Sequence, residues 1–308
     1  MSRRRCCQGS PPDEETEPLE HLAYPLTVWR GLRKIAALPG VTGIKEYYGL
    51  LPEREDPNLA ATSLFMGEPL LSEDEAMIRL AGQYGPAAAS VEQFWRCASS
   101  GMEFYPWDCS WMGRQIGRAR TDHSLTMPIL RPMLCPTPSW QSTRGTVFMR
   151  TENTEAHPWL LEDVGLRCRQ AAERWAEAEN NGIEAAAQLN GARADQMRAA
   201  VADLARVRHR ATAYWCHLRA GMLALSLRKA RELGLALPDA AVKELGGILR
   251  ESRANHAAEC MTNGAEDQWE EMDRAIAELG ADANGFLDKW LIPGPAQWSK
   301  GRFSMTSA

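Results

Sequence analysis

Between Phe104 and Arg118 the chain reads FYPWDCSWMGRQIGR, which gathers two tryptophans, a carboxylate and two arginines into a span that a helical core does not require. The mixture suits a sugar-sized polar ligand. Indole rings offer flat apolar faces, and a guanidinium grips a carboxylate through paired N–H donors. A helix opening at Pro106 sets Trp107 and Trp111 one turn apart on one face, and Arg114 and Arg118 continue the ladder. Asp108 then falls in the first turn, where the helix dipole favours a carboxylate whatever else it does. A purely structural reading stays open beside this one, with Asp108 as a helix-start acid and the tryptophans as core anchors. The motif indicates a class of ligand and leaves the reaction open.

The elements that must position these residues change character along the chain. Residues 1–18 are polar, charged and Pro-containing, and read as a disordered lead-in. Residues 19–38 have helical spacing, interrupted by Pro25. A Pro39-Gly40 turn follows, and then a β-branched, aromatic run predicts a strand over Val41–Tyr48. The other strand candidates are ATSLFMG, 61–67, and TVFMR, 146–150, and three short strands make a poor sheet.

From Ser72 onward the pattern is mostly helix. Ser72 and Glu75 form a capping box for a helix that closes at Gly85, and Pro86 opens another whose stripe is Val91, Phe94 and Trp95. Prolines make 121–158 irregular. Ala-rich, charged helices then run over 159–180, 183–208, 209–233, 239–262 and 265–279, with joints at Asn180-Asn181-Gly182 and at Gly234–Pro238. The tail from Trp290, which includes Trp298, reads as an extended strap. The expected fold is mainly α: an antiparallel helical bundle with a small αβ remnant at the N-terminus that looks like the last units of a (β/α) barrel. The expected divisions are a lead-in at 1–18, a partial barrel-like unit at 19–71, a helical and irregular aromatic region at 72–158, and a bundle with strap at 159–308.

Composition narrows the function classes. The 308 residues are 44% hydrophobic, as in a packed globular protein, and the formal net charge is -5 with acids and bases interspersed. No basic stripe exists for a phosphate backbone, so a nucleic-acid partner is not expected. No apolar run has the length of a membrane span, and residues 1–20 hold no signal-type apolar stretch, so a cytoplasmic location is expected. The eight cysteines are scattered without CxxC or Cys/His ligand spacing, which reads as free thiols. His209 and His217, eight apart, make a poor metal pair. His157 with Glu162 and Asp163 reads better as a helix start than as a site, and Ser139 with His123 and Asp122 lacks a nucleophile elbow. No cofactor or metal is expected.

A resemblance adds to this. A run ending in KEYYG, then Asn58, Leu59, Pro69, Leu70, Leu71, Ser72, Glu73 and Asp74, then Phe94-Trp95 and the aromatic segment, resembles the end of the catalytic barrel and the C-terminal helical domain of the alpha-glucuronidases of glycoside hydrolase family 67. The likeness covers about residues 40–105. It implies a carbohydrate-related fold and a sugar or uronic acid ligand. Glycoside hydrolysis needs two carboxyl groups roughly 5 to 9.5 Å apart. The candidates are Glu46, at the strand end where barrel enzymes place their chemistry, and Asp108. Tyr47, Tyr48, Trp107 and Trp111 would stack on sugar faces and Arg114 would hold a uronate, all in one cleft. An ordinary salt bridge is the competing role for Glu46.

Family members draw their general acid from earlier barrel strands, and barrels need about 250 residues, more than the tract before Glu46 holds. The expectation is therefore a truncated or degenerate carbohydrate-active protein with little or no glycosidase activity as this chain alone, in which another copy or a partner chain completes the sheet. The alternative is a noncatalytic helical module that binds a partner chain or a glycan.

Overall fold

The computed structural model describes residues 22–41, 43, 55–105, 158–264 and 270–290. These are overwhelmingly helical, and no strand occurs among them. The chain divides into two compact units. Unit 1 comprises Met1–Tyr105 with Arg169–His209, and unit 2 comprises Pro106–Cys168 with Arg210–Ala308.

In unit 1, α1 (Pro25–Ala36) begins at the proline itself. Pro25 sits at the first helical position, where a missing N–H costs nothing, so it starts this helix and does not interrupt a longer one. Leu26, Trp29 and Leu32 are buried at helical spacing, and Arg33 and Lys34 close the last turn on the exposed side. Next in the described chain is α2 (Pro57–Gly67), which contains the strand candidate ATSLFMG as helix. The Asp56 carboxylate accepts from the backbone N–H groups of Asn58 (2.8 Å) and Leu59 (3.4 Å), and Pro57 follows it. That cap and first-turn proline nucleate a helix before β-propensity counts.

The α3 helix (Glu73–Ala81) has the expected capping box. Glu75 N–H donates to Ser72 Oγ at 3.2 Å, and Ser72 N–H donates to the Glu75 carboxylate at 2.8 Å. It ends four residues earlier than expected, because Gly82–Ala87 tightens into a 3-10 turn in which Gly85 takes φ +57° and Pro86 lies inside. The following helix, α4 (Ala88–Phe104), therefore starts two residues after Pro86, and it buries Val91, Phe94 and Trp95 as its stripe.

Pairwise contacts give the directions. Tyr24 meets Asn58 and Trp29 meets Phe65, offsets of 34 and 36, so α1 and α2 run parallel. Thr27 meets Ser99 and Arg30 meets Glu103, so α1 and α4 are parallel as well.

Two long helices follow. The helix α5 (Pro158–Gln188) runs straight through Asn180-Asn181-Gly182, which is no joint, and α6 (Gly191–Glu232) is unbroken at Arg208–His209. The actual turn is at Leu189-Asn190, with Gly191 at φ +58°. The chain passes between the units within these helices, in α5 after Cys168 and in α6 after His209. In unit 1, α5 lies antiparallel to α4. Trp175 packs on Gly101, Gly182 faces Phe94, and Gln188 donates to Ser90 at 3.0 Å. Gly182 persists in the helix because Phe94 and Val201 close around it; a Cβ there would stand 2.4 Å from Val201 Cγ2.

Unit 2 adds α7 (Asp239–Asn263), α8 (Glu270–Ala281) and α9 (Ala283–Trp290). Gly165 lies against Trp215 and Leu218, Gly246 faces Leu279, and Arg253 pairs with Asp273 at 2.9 Å, so α5 with α6 and α7 with α8 are antiparallel. Arg231 ties α6 to α9 through Asp288 at 2.7 Å. Leu227, Leu245, Leu249, Met272, Phe286 and Leu287 fill the core. Helix dominance and antiparallel bundle packing match the expectation. Of the expected Val41–Tyr48 strand, Val41 is exposed and outside regular structure, Gly43 is without regular structure, and the rest lies outside the described residues.

Candidate functional site

All seven sequence candidates, Glu46, Tyr47, Tyr48, Trp107, Asp108, Trp111 and Arg114, lie outside the described residues, and so do His123, Ser139 and His157. The shared cleft proposed for them lies there too. What can be built upward from the described residues is what their own polar and apolar groups do.

Asn58, one of the residues that carried the resemblance, is buried, and its side chain is fully engaged. Its Nδ2 donates to Leu22 O at 2.8 Å while its Oδ1 accepts from Tyr24 N at 2.8 Å. The amide thus clamps the segment entering α1 to the first turn of α2. Arg30 is held by Glu73, at 2.9 to 3.0 Å, and by Glu103. The Glu73 hydrogen bond and both carboxylate charges outweigh partial burial and raise its pKa. Arg96 joins Glu92 and Asp74, both at 2.8 Å. These pairs tie α1, α3 and α4 together.

Nucleophiles fare similarly. Cys97 is buried, Gln93 Nε2 lies 3.5 Å from its sulfur, and Asn181 Nδ2 lies 3.8 Å away. Burial first, and then the nearby Glu177, raise the Cys97 thiol pKa, the opposite of what activates a cysteine. In unit 2, Cys260 Sγ and His256 Nε2 approach to 3.3 Å one turn apart on α7. His209 is buried beside Arg208, and no group of three or more His, Cys, Asp or Glu suited to a metal occurs among the described residues. Tyr84 is buried edge-on to Trp95 with the Arg193 guanidinium 5.5 Å from its ring centre. Burial and Glu55 raise its pKa, so the phenol stays neutral.

The feature that remains is apolar. Leu38 is 56% exposed, Met66 70%, Leu70 97% and Ile78 59%, joined by Ile35 and Val41. The parallel register of α1 and α2, with Trp29 against Phe65, sets Gly67 level with Gly31, so α1 runs on past the end of α2. Arg79 reaches Glu68 at 2.6 Å in the turn after α2. Met66 and Leu70 flank Glu68 in sequence, and Ile78 adjoins Arg79.

A strand candidate over 61–67 hides Met66 as a helix-face residue. Two signals were available: the Asp56-Pro57 start, and the eleven-residue α2, PNLAATSLFMG, which carries no charged residue at all. An element with no charged face has little reason to face water. No helix among the described residues is long and apolar enough to cross a membrane. Comparison of the chain with family models, with curated proteins and with solved structures finds no match.

Proposed function

We propose that this chain is a noncatalytic helical interaction module that works through the exposed apolar residues at the end of α2. The observation that carries the reading is the charge-free α2 with Met66 70% exposed in its last turn and Leu70 97% exposed in the turn that follows, where Arg79, next to exposed Ile78, reaches Glu68. Scattered exposed leucines are ordinary, but a contiguous set marks a docking surface. Fully burying such side chains contributes about 1.5 to 3 kcal/mol each, so the few at this turn can drive association once its entropic cost is met. The surrounding helices give a rigid platform, since α1 is clamped by Asn58 and by the Arg30 pairs.

The test is a photoreactive phenylalanine analogue placed at position 70 of the full chain in cells, with the same analogue at Gln83 for comparison. Discrete protein adducts from position 70, lost when Met66 and Ile78 are both changed to Lys, are expected. No adduct from position 70, or equal adducts from both positions, would overturn the reading.

A second reading keeps the carbohydrate ligand. It rests on the aromatic and basic sequence of Phe104–Arg118, with Trp107 and Trp111 as the platform, Arg114 for an acidic sugar, and Glu46 and Asp108 as the carboxylates. Hydrolysis of aryl glucuronides that is abolished by Glu46→Gln would establish it, and absence of turnover is the expected outcome.

A further inference from the structure

One pair of side chains in unit 2 has a chemistry that packing does not require. Along one face of α7, buried Leu245 and Leu249 are followed at helical spacing by buried Ser252, half-buried His256 and buried Cys260. Cys260 Sγ lies 3.3 Å from Nε2 of His256, one turn earlier, within reach of a hydrogen bond to sulfur. With the ring proton on Nδ1, Nε2 accepts from the thiol, and an imidazole so placed takes the proton when the sulfur reacts.

The other cysteines among the described residues, Cys97, Cys168 and Cys216, sit differently. Cys168 and Cys216 lie in interior turns of α5 and α6, at 1% and 2% exposure. Exposure does not separate Cys97, at 6%, from Cys260, at 7%, but position and neighbours do. Cys97 is in the middle of α4, where burial and then Glu177 disfavour its thiolate. Cys260 belongs to the last turn of α7, followed by exposed Met261 and Thr262. Terminal turns open more readily than interior ones, so a small reagent reaches this sulfur at little structural cost.

We propose that Cys260 is a site of thiol–disulfide exchange for which His256 is the base. The thiol proton passes to His256 Nε2, and the thiolate attacks one sulfur of a small disulfide. A bond forms between Cys260 Sγ and that sulfur while the S–S bond of the reagent breaks. The departing thiolate takes the proton from His256 and leaves as a thiol, so Cys260 is oxidised to a mixed disulfide and one half of the reagent is reduced. This site belongs to unit 2 and the α2 surface to unit 1, and neither reading depends on the other.

The test exposes the folded full chain at neutral pH to 2-hydroxyethyl disulfide, an uncharged reagent, and follows each cysteine by peptide mass spectrometry after acid quenching. Cys260 is expected to form the mixed disulfide about tenfold or more faster than Cys97, Cys168 and Cys216, and His256→Gln should slow it about tenfold with circular dichroism unchanged. The sign of the second effect separates chemistry from packing, because removing a histidine that only packed the helix end would loosen the turn and speed the reaction. Equal rates at the four cysteines, or a Cys260 rate that holds or rises in His256→Gln, would overturn the proposal. Should His256→Gln lose its helical signal, the ranking of the four cysteines in the parent chain decides alone.

Discussion

Asn58 connects the segment before α1 to α2 through a single buried amide, so its loss removes the hydrogen bond to the Leu22 carbonyl and the one from the Tyr24 N–H together. Asn58→Ala should cost about 1 to 3 kcal/mol, read as a lower urea midpoint at unchanged slope. The Ser99 hydroxyl shows the converse. It is buried in α4 with no hydrogen-bond partner among the described residues, although the Ser99 carbonyl accepts from Thr27 Oγ1. Ser99→Ala removes a desolvated group and should raise stability by about 1 kcal/mol.

Glu75 gives a pH signature. The backbone N–H of Ser72 first, and its hydroxyl second, hold the Glu75 carboxyl below its ordinary value of 4.5. A depressed carboxylate contributes stability above its unfolded pKa and loses it as pH falls through the folded one. Thermal melts of the parent and Glu75→Gln should therefore differ at neutral pH and converge as the pH falls through the depressed Glu75 value. A gap that persists in acid would mean the carboxylate charge is not what holds this cap.

Several helix boundaries follow local rules legible in the sequence. The Ser72–Glu75 box, the proline at the start of α5 and the Gly234–Pro238 joint needed no knowledge of neighbours, whereas Pro25, expected to interrupt a helix, starts α1. Where tertiary packing decided, the sequence pointed elsewhere. Asn180-Asn181-Gly182 looks like a turn, yet α5 continues through it because Phe94 and Val201 occupy the space a side chain would need. The unbroken α6 has a similar cause: Leu204, Ala205, Val207 and His209 are buried, and Arg208 reaches Glu179 at 2.8 Å.

Close approach gives a sharp test of this packing. A Cβ on Gly101 would lie 2.3 Å from Trp175 Nε1, whose N–H is fixed on Ala98 O at 3.1 Å, so the ring cannot yield cheaply. Gly101→Ala and Gly182→Ala should each destabilise by about 1 to 3 kcal/mol. Gly31→Ala in α1, with nothing within 4 Å of the added methyl, should instead stabilise by about 0.5 to 1 kcal/mol through helix propensity. Chemical denaturation of the three variants checks the sign at each position.

Taken whole, the chain presents two helical units, and unit 1 carries exposed apolar residues, Met66 and Leu70, at the end of a helix without charged residues. The helix content and the bundle were legible from periodicity. The exposure of Met66 and the parallel pairing of α1 with α2 were not, because that pairing is a long-range property set by Tyr24–Asn58 and Trp29–Phe65. The seven residues first read as a sugar site, from Glu46 to Arg114, fall outside the described residues, so their chemistry remains a matter for the hydrolysis assay.

The most direct measurement of the central claim is amide hydrogen exchange followed by mass spectrometry on the full chain isolated from cells with its bound proteins and on the same chain purified alone. The account predicts slowed exchange in the bound sample centred on peptides covering residues 62–79, with peptides of α7 to α9 unchanged. Slowing centred on α7 to α9, or no difference over residues 62–79, would contradict it.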